Sequence, residues 1–262
     1  MLIARYEKDG KVNTGIVTNG KMFEYIGDPF DPQSAEQGKQ VGAVDDLRLL
    51  APVRPGKILA IGKNYAAHAA EFGGGVPPEP LIFMKPPSAV IGPGEAIEIL
   101  PEMGRVDYEA ELVVVIGRRG RFINIDDTLD YVLGYTCAND ISERDYQKKD
   151  GQWTRAKGFD TFCPLGPWIN TELDPFDVMV SMRLNGETKQ SASTSNMVYD
   201  VAHLIAHLSR IMTLEPGDII MTGTPAGVGE IAHGYTVEIE IEHIGTLSNP
   251  VVDERKQADH GA

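Results

Sequence analysis

The segment RVDYEAELVVVIGRRG, residues 105–120, places two acidic residues at the head of an apolar run. Glu109 and Glu111 stand two positions apart, and the β-branched residues 113–116 follow them. Such a run predicts a buried strand. Side chains two positions apart on a strand share one face and lie roughly 6–7 Å apart. Both carboxylates must therefore point the same way, and buried carboxylates persist only when they are paired or bind a cation.

Length and composition are those of an ordinary globular protein. The chain has 262 residues, of which 42% are hydrophobic, which suits one large domain or a large domain with a small appendage. No stretch approaches the roughly 20 apolar residues of a membrane span. The net charge of −14 argues against a nucleic-acid partner, and it means that an anionic substrate would need a local positive site.

Cysteine usage and the first residues indicate the compartment. The start of the chain shows no apolar signal region, and Cys137 and Cys163 have no metal-type spacing. We therefore expect a cytoplasmic protein with reduced thiols and no membrane association.

Turn signals divide the chain near residue 52. Asp9-Gly10 and Asn19-Gly20 separate short β-prone runs, and such dipeptides favour tight hairpin turns. Pro52 then marks a boundary. We predict a small N-terminal β domain over residues 1–51, a main domain over residues 52–253 and a polar tail over residues 254–262.

The main domain is predicted to be rich in strands. The candidates are residues 57–62, 80–84, 109–116, 134–141, 178–184, 217–222 and 235–242. The last of these alternates between apolar residues and glutamates, which predicts a half-exposed strand whose acids form a solvated face.

Two segments carry helix signals. NIDDTLDYVLG has Asn124 as a cap and Gly134 as a stop. SNMVYDVAHLIAHLSRIM is amphipathic, and His203 and His207 lie on its polar stripe. A His-x-x-x-His pair can bind zinc, but the glutamate of the metalloprotease motif is a leucine here. Solvent-facing histidines are therefore the favoured interpretation.

A third acid, Asp140, follows a predicted strand in the segment LGYTCANDISERD. Together with Glu109 and Glu111 it would give three carboxylates on two strands, a set that suits Mg²⁺ or Mn²⁺. The alternative is that the acids form ion pairs with nearby arginines. The candidate partners are Arg105, Arg118 and Arg144. The residues alone leave both interpretations open.

His68 and Glu71 stand three apart in the segment IGKNYAAHAAEF, so their side chains would meet on a helical turn. A carboxylate that fixes the tautomer of a histidine suits general-base work on water. A surface pair without a role is the alternative. The following GGGVPPEP, residues 73–80, cannot pack as regular structure, which favours a mobile lid beside the pair.

Positive charge is concentrated in residues 144–157 of this acidic chain. Within that segment Lys157 lies in an aromatic sequence context, and a lysine in apolar surroundings needs a partner or a role. The segment MTGTPAGVG, residues 221–229, is a glycine-rich loop that matches no nucleotide motif. Its backbone N–H groups and the hydroxyl of Thr224 could instead bind a carboxylate.

Taken together, these segments resemble the fumarylacetoacetate hydrolase family from about residue 53 to residue 250. The motifs that carry the resemblance are NYAAHAAE, FMKPPSAVIGPG, VDYEAELVVVIG, GYTCANDISERDYQ, WTRAKGFDTFCPLGPW and LEPGDIIMTGTPAGVG. The resemblance implies an α+β, strand-rich fold: a mixed β-sandwich roll with a small N-terminal β domain, usually assembled as a homodimer.

The resemblance also implies roles for the candidate residues. Glu109, Glu111 and Asp140 would bind Mg²⁺ or Mn²⁺. His68 and Glu71 would order a lid and activate water. Lys157 would contact the substrate and the site, as would the residues that match the remaining family positions, namely Arg144, Gln147 and Thr224.

The expected substrate is a small anionic 2-oxo acid. The favoured reaction is metal-dependent hydrolysis of a C–C bond in a 3-acylpyruvate or fumarylpyruvate-like acid. The alternatives within the family are decarboxylation of an oxaloacetate-like acid and isomerisation of a hydroxymuconate-like or 2-hydroxyhepta-2,4-diene-1,7-dioate-like acid. A non-catalytic protein that binds a metal and a carboxylate is a further alternative, since a fold does not fix a function.

Overall fold

The computed structural model describes residues 1–71 and 73–253. The polar tail predicted over residues 254–262 lies outside the described residues. The described strands are, in chain order, β1 (Leu2–Lys8), β2 (Lys11–Thr18), β3 (Lys21–Ile26), β4 (Glu36–Ala43), β5 (Arg48–Leu50), β6 (Ile58–Gly62), β7 (Leu81–Lys85), β8 (Val90–Ile91), β9 (Ile97–Ile99), β10 (Val106–Tyr108), β11 (Ala110–Ile116), β12 (Val132–Asn139), β13 (Ser142–Glu143), β14 (Cys163–Asn170), β15 (Met179–Leu184), β16 (Glu187–Ser193), β17 (Ile219–Met221), β18 (Gly229–Glu230), β19 (Thr236–Ile241) and β20 (Gly245–Asp253).

Helices are short and lie between the strands. The α-helices are α1 (Ala66–Glu71), α2 (Arg144–Asp150), α3 (Thr154–Gly158) and α4 (Val201–Ile211). The 3-10 helices are Pro32–Ser34, Val44–Asp46, Pro87–Ala89, Ile125–Tyr131 and Thr194–Asn196. The strand-rich α+β class predicted from the sequence is confirmed.

The described strands form three sheets. The largest has twelve strands in the order β4-β3-β2-β1-β14-β12-β11-β17-β6-β7, with β5 on β1 and β8 on β14. A second sheet has the order β16-β15-β19-β20-β9, and a small third sheet has the order β13-β10-β18. The large and the five-stranded sheets enclose the main core together with α4.

The central strand β11 shows why the run 113–116 is apolar on every position. Its side chains alternate between two cores, with Leu112 and Val114 in the larger cluster and Val113 and Val115 in a second cluster on the opposite face. Because both faces of the sheet are covered, every residue of β11 is buried. Glu111 is two residues before Val113 and four before Val115, so its side chain points to the same face of the sheet as theirs, at the end of the strand.

The N-terminal strands extend the main sheet. β1 pairs with β14 in antiparallel register, so that Ile3 lies opposite Ile169. The predicted hairpin turns are confirmed, since Asp9-Gly10 and Asn19-Gly20 both have positive φ and join strands through two-residue loops. The division of the chain into domains at residue 52 stays a prediction.

The half-exposed strand predicted over residues 235–242 is present as β19. Its apolar positions are buried and its glutamates are partly exposed. Arg183 of the neighbouring β15 bridges Glu238 and Glu240, at 3.3 and 2.5 Å. The glutamates of β19 are thus partly exposed to solvent, as predicted, and two of them also form ion pairs with one arginine.

The prediction of an α-helix over residues 124–134 is wrong. Residues Ile125–Tyr131 form a 3-10 helix, and the Asn124 side chain caps no backbone group but donates to Asp127 Oδ2 at 3.3 Å. Gly134 does not stop a helix, since it lies within β12, where a β-carbon would collide with the backbone of Asn170. Pairing of β12 with both β11 and β14 draws the chain into the sheet from residue 132.

The second helix is shorter than its sequence pattern. It begins after Asp200, whose side chain accepts a hydrogen bond from His203 N at 2.9 Å, and it buries Val201 and Leu204 among others. His203 is exposed and His207 is half-buried. Neither histidine joins a group of three metal-ligating side chains in the described part of the chain.

Residues 1–71 and 73–253 contain no helix that is long and apolar enough to cross a membrane.

The pairing of β1 with β14 predicts that the N-terminal strands and the main sheet unfold together. Ile3 is 2% exposed and packs into the second core cluster, so Ile3→Ala should cost about 2–5 kcal/mol. Trp168 packs against the N-terminal cluster, whereas Trp153 packs against Phe83 of the main domain. In a Trp168→Phe background, tryptophan fluorescence therefore reports the main domain through Trp153. Urea unfolding should shift to lower concentration by the same amount in tryptophan fluorescence and in far-UV circular dichroism.

Ile26→Ala is the matched control, because Ile26 is 51% exposed in the same N-terminal unit and its truncation should change stability by less than about 0.5 kcal/mol. An Ile3→Ala protein whose tryptophan transition is unchanged would show that the two parts unfold independently.

Candidate metal centre and active site

The register of β11 and β12 brings the three predicted carboxylates together. Ala110 pairs with Asn139 and Glu111 with Ala138, and Asp140 N donates to Glu109 O at 2.8 Å just beyond the ladder. Glu109 therefore lies opposite Asp140, on the same sheet face as Glu111. One carboxylate oxygen from each of the three lies within 4.8 Å of the others, and all three side chains are buried. The cluster could hold a divalent metal ion.

The glycine-rich loop after β17 closes one side of this cluster. Gly223 N donates to Glu111 Oε2 at 2.8 Å, and Thr222 is bonded to the backbone of β11 through Leu112 O. Gly223 has a φ of +97°, and a β-carbon there would lie 2.8 Å from Asn64 Cβ. Only glycine fits this left-handed position, which places its N–H against the carboxylate.

Buried cations neutralise two of the three carboxylates. Lys157 Nζ of α3 donates to Glu109 Oε2 at 2.8 Å and to Asp140 Oδ2 at 2.5 Å. Arg144, the first residue of α2, donates through Nη2 to Glu109 Oε1 at 2.7 Å. The ion-pair interpretation and the metal interpretation are thus compatible. Of the other candidate partners, Arg105 pairs with Asp107 and Arg118 lies over the Tyr131 ring.

Lys85 and Asp107 are buried site residues that the sequence analysis did not single out. Lys85, at the end of β7, is buried and donates to Asp140 Oδ1 at 2.6 Å. Asp107 is buried and accepts from Arg105 at 2.7 Å and from Arg144 at 2.8 Å. The FMKPP segment that contains Lys85 was noticed only as part of the resemblance, because nothing in its local pattern shows that β7 points this lysine at Asp140.

The carboxylates differ in their electrostatic environments. Burial opposes ionisation of Glu109, but Lys157 and then Arg144 hold the pKa of Glu109 well below its ordinary value. Burial and then the carboxylates of Asp140 and Glu109 raise the pKa of Glu111 well above its ordinary value. No cation within residues 1–71 and 73–253 forms an ion pair with Glu111. Glu111 is the carboxylate that would gain most from a bound cation.

The ammonium of Lys157 stays charged in this environment. Burial alone would lower the pKa of Lys157, but the carboxylates of Asp140 and Glu109 outweigh burial and raise the pKa above its ordinary value. The ammonium also lies 5.1 Å from the centre of the Phe83 ring, where a cation–π contact adds to its stabilisation.

His68 and Glu71 form the predicted pair on α1. His68 Nδ1 lies 3.2 Å from Glu71 Oε2, and Glu71 Oε1 accepts from Gly227 N at 2.8 Å. The second bond ties α1 to the glycine-rich loop. A carboxylate beside Nδ1 favours the tautomer that leaves Nε2 unprotonated, as a general base requires. The segment GGGVPPEP, residues 73–80, contains no helix or strand, and the mobile lid predicted beside the pair stays a prediction.

The three predicted substrate-binding residues are held by neighbouring polar groups. Arg144 Nη1 donates to Gln147 Oε1 at 2.9 Å. Thr224 Oγ1 accepts from Gln190 Nε2 at 2.8 Å, which leaves the hydroxyl proton of Thr224 available to a ligand. Gln190, which sequence reasoning missed, also accepts from Ala110 N at 3.0 Å and so links the glycine-rich loop to β11.

A cavity of about 280 Å³ unites these residues. Of the nine predicted site residues, the cavity is lined by all but Glu71, whose carboxylate contacts His68 and Gly227. Further lining comes from Ile61, Gly62, Lys63, Phe83, Arg105, Asp107, Lys148 and Trp153. The structure thus brings the predicted residues together, while their roles stay predictions.

Comparison with known families agrees with this arrangement. The family model described as "Fumarylacetoacetate (FAA) hydrolase C-terminal" matches residues 57–252, and one described as "Rv2993c-like, N-terminal" matches residues 1–52. Protein Rv2993c of Mycobacterium tuberculosis is 52% identical over 214 residues, which cover 80% of this chain and 81% of that protein.

Two further relatives carry functional names. The mitochondrial oxaloacetate tautomerase Fahd2a of Rattus norvegicus is 46% identical over 218 residues, which cover 79% of this chain and 70% of that protein. The crystal structure of 2-hydroxyhepta-2,4-diene-1,7-dioate isomerase from Mycobacterium marinum superposes with a TM-score of 0.89 at 43% identity, covering 97% of this chain and 99% of that chain. On the extent of these matches, the chain belongs to the fumarylacetoacetate hydrolase family.

Proposed function

We propose that the protein is a divalent-metal-dependent enzyme that converts 2-oxo dicarboxylic acids through their enolates. Keto–enol tautomerisation of an oxaloacetate-like acid is its proposed reaction. The observation that carries the proposal is the convergence, in one cavity, of three buried carboxylates and a histidine held by a glutamate. The similarity to an oxaloacetate tautomerase favours tautomerisation among the reactions that begin from an enolate.

The carboxylate cluster fits a hard divalent ion. Glu109, Glu111 and Asp140 offer oxygen ligands of the kind that Mg²⁺ and Mn²⁺ prefer, and Glu111 is a buried carboxylate that no described cation neutralises by an ion pair. When bound there, the ion would serve as a Lewis acid that stabilises the negative charge of an enolate.

The cations of the site would bind the anionic end of the substrate. Lys157 and Arg144 are buried and charged, so they supply local positive charge in a chain of net charge −14. The Thr224 hydroxyl and the Gln147 amide are oriented by their own hydrogen bonds and can donate to substrate oxygens.

His68 would move the proton. Conversion of enol to ketone removes a proton from the C2 hydroxyl and adds one at C3. His68, fixed by Glu71 and exposed to the cavity, can exchange a proton with the substrate through Nε2. The overall change is neutral, because the proton lost from oxygen is balanced by the proton gained at carbon.

Hydrolysis of a 3-acylpyruvate is the second candidate, favoured by the placement of this same pair. His68 would take a proton from water, the hydroxide would add to the distal carbonyl, and the C–C bond to C3 would break. The products would be a carboxylate and the pyruvate enolate, whose negative charge the cations of the site would stabilise until C3 is protonated.

The decisive experiment compares products from one panel of substrates. Purified protein with Mg²⁺ or Mn²⁺ would receive enol-oxaloacetate, acylpyruvates and hydroxymuconates, and products would be identified by NMR. Accelerated ketonisation of oxaloacetate without release of CO₂ supports the tautomerase. Production of pyruvate and a carboxylic acid from an acylpyruvate supports the hydrolase, and no conversion of any substrate would overturn both candidates.

Replacing Glu111 should have opposite effects on the metal-free and metal-loaded proteins. Because the pKa of Glu111 is raised on folding, its contribution to stability is present at low pH and is lost as pH rises from about 4.5 through the folded-state pKa. Without metal, Glu111→Gln should therefore melt at a higher temperature than wild type at pH 7.5. Metal at 100 times its Kd should stabilise wild type by about 2.7 kcal/mol and leave the variant unchanged.

Thermal unfolding in EDTA and in Mn²⁺ measures both effects. Glu98→Gln is the control, because Glu98 is an exposed glutamate on β9 and should behave as wild type. Equal stabilisation of Glu111→Gln and wild type by Mn²⁺, or full activity of either in the presence of chelator, would contradict the metal assignment.

Removing the histidine should separate proton transfer from metal binding. His68→Ala should lower the rate of tautomerisation, or of acylpyruvate hydrolysis, by roughly 10²–10⁴ while Mn²⁺ still raises the melting temperature. Glu71→Gln should have a smaller effect in the same direction, because it weakens the orientation of His68 but keeps the imidazole. Decarboxylation, which needs enolate stabilisation but no base, should fall less.

His203→Ala, at an exposed histidine on α4, should retain the wild-type rate. A His68→Ala enzyme with the wild-type rate for both reactions would end the assignment of His68 as the base and would favour the decarboxylase.

A further inference from the structure

The cavity is lined by more positively charged side chains than take part in its ion pairs. Four carboxylates, namely Asp107, Glu109, Glu111 and Asp140, face four cations, namely the buried Lys85, Arg144 and Lys157 and the exposed Arg105. Formal charges at the site are therefore equal in number, although Glu111 takes part in no described ion pair. Lys63 and Lys148 line the same cavity in addition. Within residues 1–71 and 73–253, neither lysine forms an ion pair or a side-chain hydrogen bond. The cavity therefore has two ammonium groups without a carboxylate partner.

The surplus charge lies at the mouth of the cavity. The carboxylate cluster and Lys157 are at most 5% exposed, whereas Lys63 is half-buried and Lys148 is exposed. Two aromatic rings connect these ends: Phe83 lies 5.1 Å from the Lys157 ammonium and meets Trp153 edge to face at 5.2 Å. Trp153 in turn packs on Gly62, the neighbour of Lys63, where a β-carbon would lie 2.7 Å from its ring. A ligand that spans the cavity would place one end among buried charges, its carbon chain on aromatic rings and its other end near an ammonium.

Lys63 is more constrained than Lys148. Its φ is +58°, a left-handed conformation that is uncommon for a residue other than glycine and that persists where the surroundings dictate it. A β-carbon on Gly74 would lie 3.1 Å from Lys63 Nζ, so the ammonium lies close to the backbone of Gly74. The exposed Lys148 is instead free to be solvated on α2.

We infer that Lys63 binds a second, distal carboxylate of the substrate and so selects 2-oxo dicarboxylates over 2-oxo monocarboxylates. The inference rests on the proposed function, in which the 2-oxo acid end of the substrate lies at the carboxylate cluster. There the charges of the substrate carboxylate and enolate oxygen would offset that of a divalent ion held by Glu109, Glu111 and Asp140, which leaves the ammonium of Lys63 for a further anionic group.

Binding of inert ligands tests this inference apart from catalysis. Isothermal titration calorimetry with Mn²⁺ present would compare 2-oxoglutarate with 2-oxopentanoate, which has a methyl group in place of the distal carboxylate. Wild type should bind 2-oxoglutarate about 10- to 100-fold more tightly, the range expected for one hydrogen bond between charged groups. Lys63→Met should remove that preference by weakening 2-oxoglutarate alone, and Lys63→Arg should restore most of it.

Two further lysines serve as comparisons. Lys149→Met, at an exposed lysine that does not line the cavity, should keep the wild-type preference. Lys148→Met should change it less than Lys63→Met does. A larger loss in Lys148→Met than in Lys63→Met would overturn the assignment to Lys63.

The remaining outcomes separate this inference from the proposed function. Equal binding of the two ligands by wild type would overturn the inference and leave the 2-oxo acid site standing, as would an equal loss of both ligands in Lys63→Met. Failure of wild type to bind either ligand with Mn²⁺ present would overturn the proposed function, and the inference with it.

Discussion

The antiparallel pairing of β11 with β12 is the constraint on which the site depends. Its register sets Glu109 opposite Asp140 and keeps Glu111 on the same face. A shift of one residue would turn the carboxylates of β11 into the larger apolar core, where nothing could neutralise them. The apolar residues that follow make such a shift costly, because each already fills one of two cores. Strand burial thus fixes the geometry of the charged cluster.

Charge balance then explains why cations from distant segments converge here. Lys85, Arg144 and Lys157 come from β7, α2 and α3, and each has at least one bond to the cluster or its neighbours. Buried charges are tolerated when they are paired and hydrogen-bonded, and removing one partner leaves another uncompensated. Among the described residues, Glu111 is the carboxylate of this cluster that has no cation in an ion pair with it. A bound cation would stabilise its ionised form, which burial and the neighbouring carboxylates disfavour.

The sequence predicted those elements whose structure is determined by their own residues. The apolar run of β11, the alternation of β19 and the Asn19-Gly20 turn each report a local environment, and all three are present. The 3-10 helix of residues Ile125–Tyr131 was mistaken for an α-helix, because its end is set by the pairing of β12 with two neighbours. Lys85 and Gln190 carry no local signal at all. Their importance comes from contacts 55 and 80 residues away in sequence, which only the sheet topology creates.

The buried end and the open end of the cavity would contact different parts of a substrate, and this difference bears on the choice among the candidate reactions. Every candidate reaction passes through an enolate, so the buried carboxylates and cations would serve all of them equally and cannot distinguish among them. Discrimination must come from groups that meet the rest of the substrate, and these lie nearer the mouth, where Phe83, Trp153 and Lys63 line the cavity. An apolar wall disfavours a held water beside the distal carbon, whereas an ammonium beyond that wall favours a distal carboxylate. Under the proposed function, this arrangement suits proton transfer within a short dicarboxylate better than attack by water on a distal carbonyl.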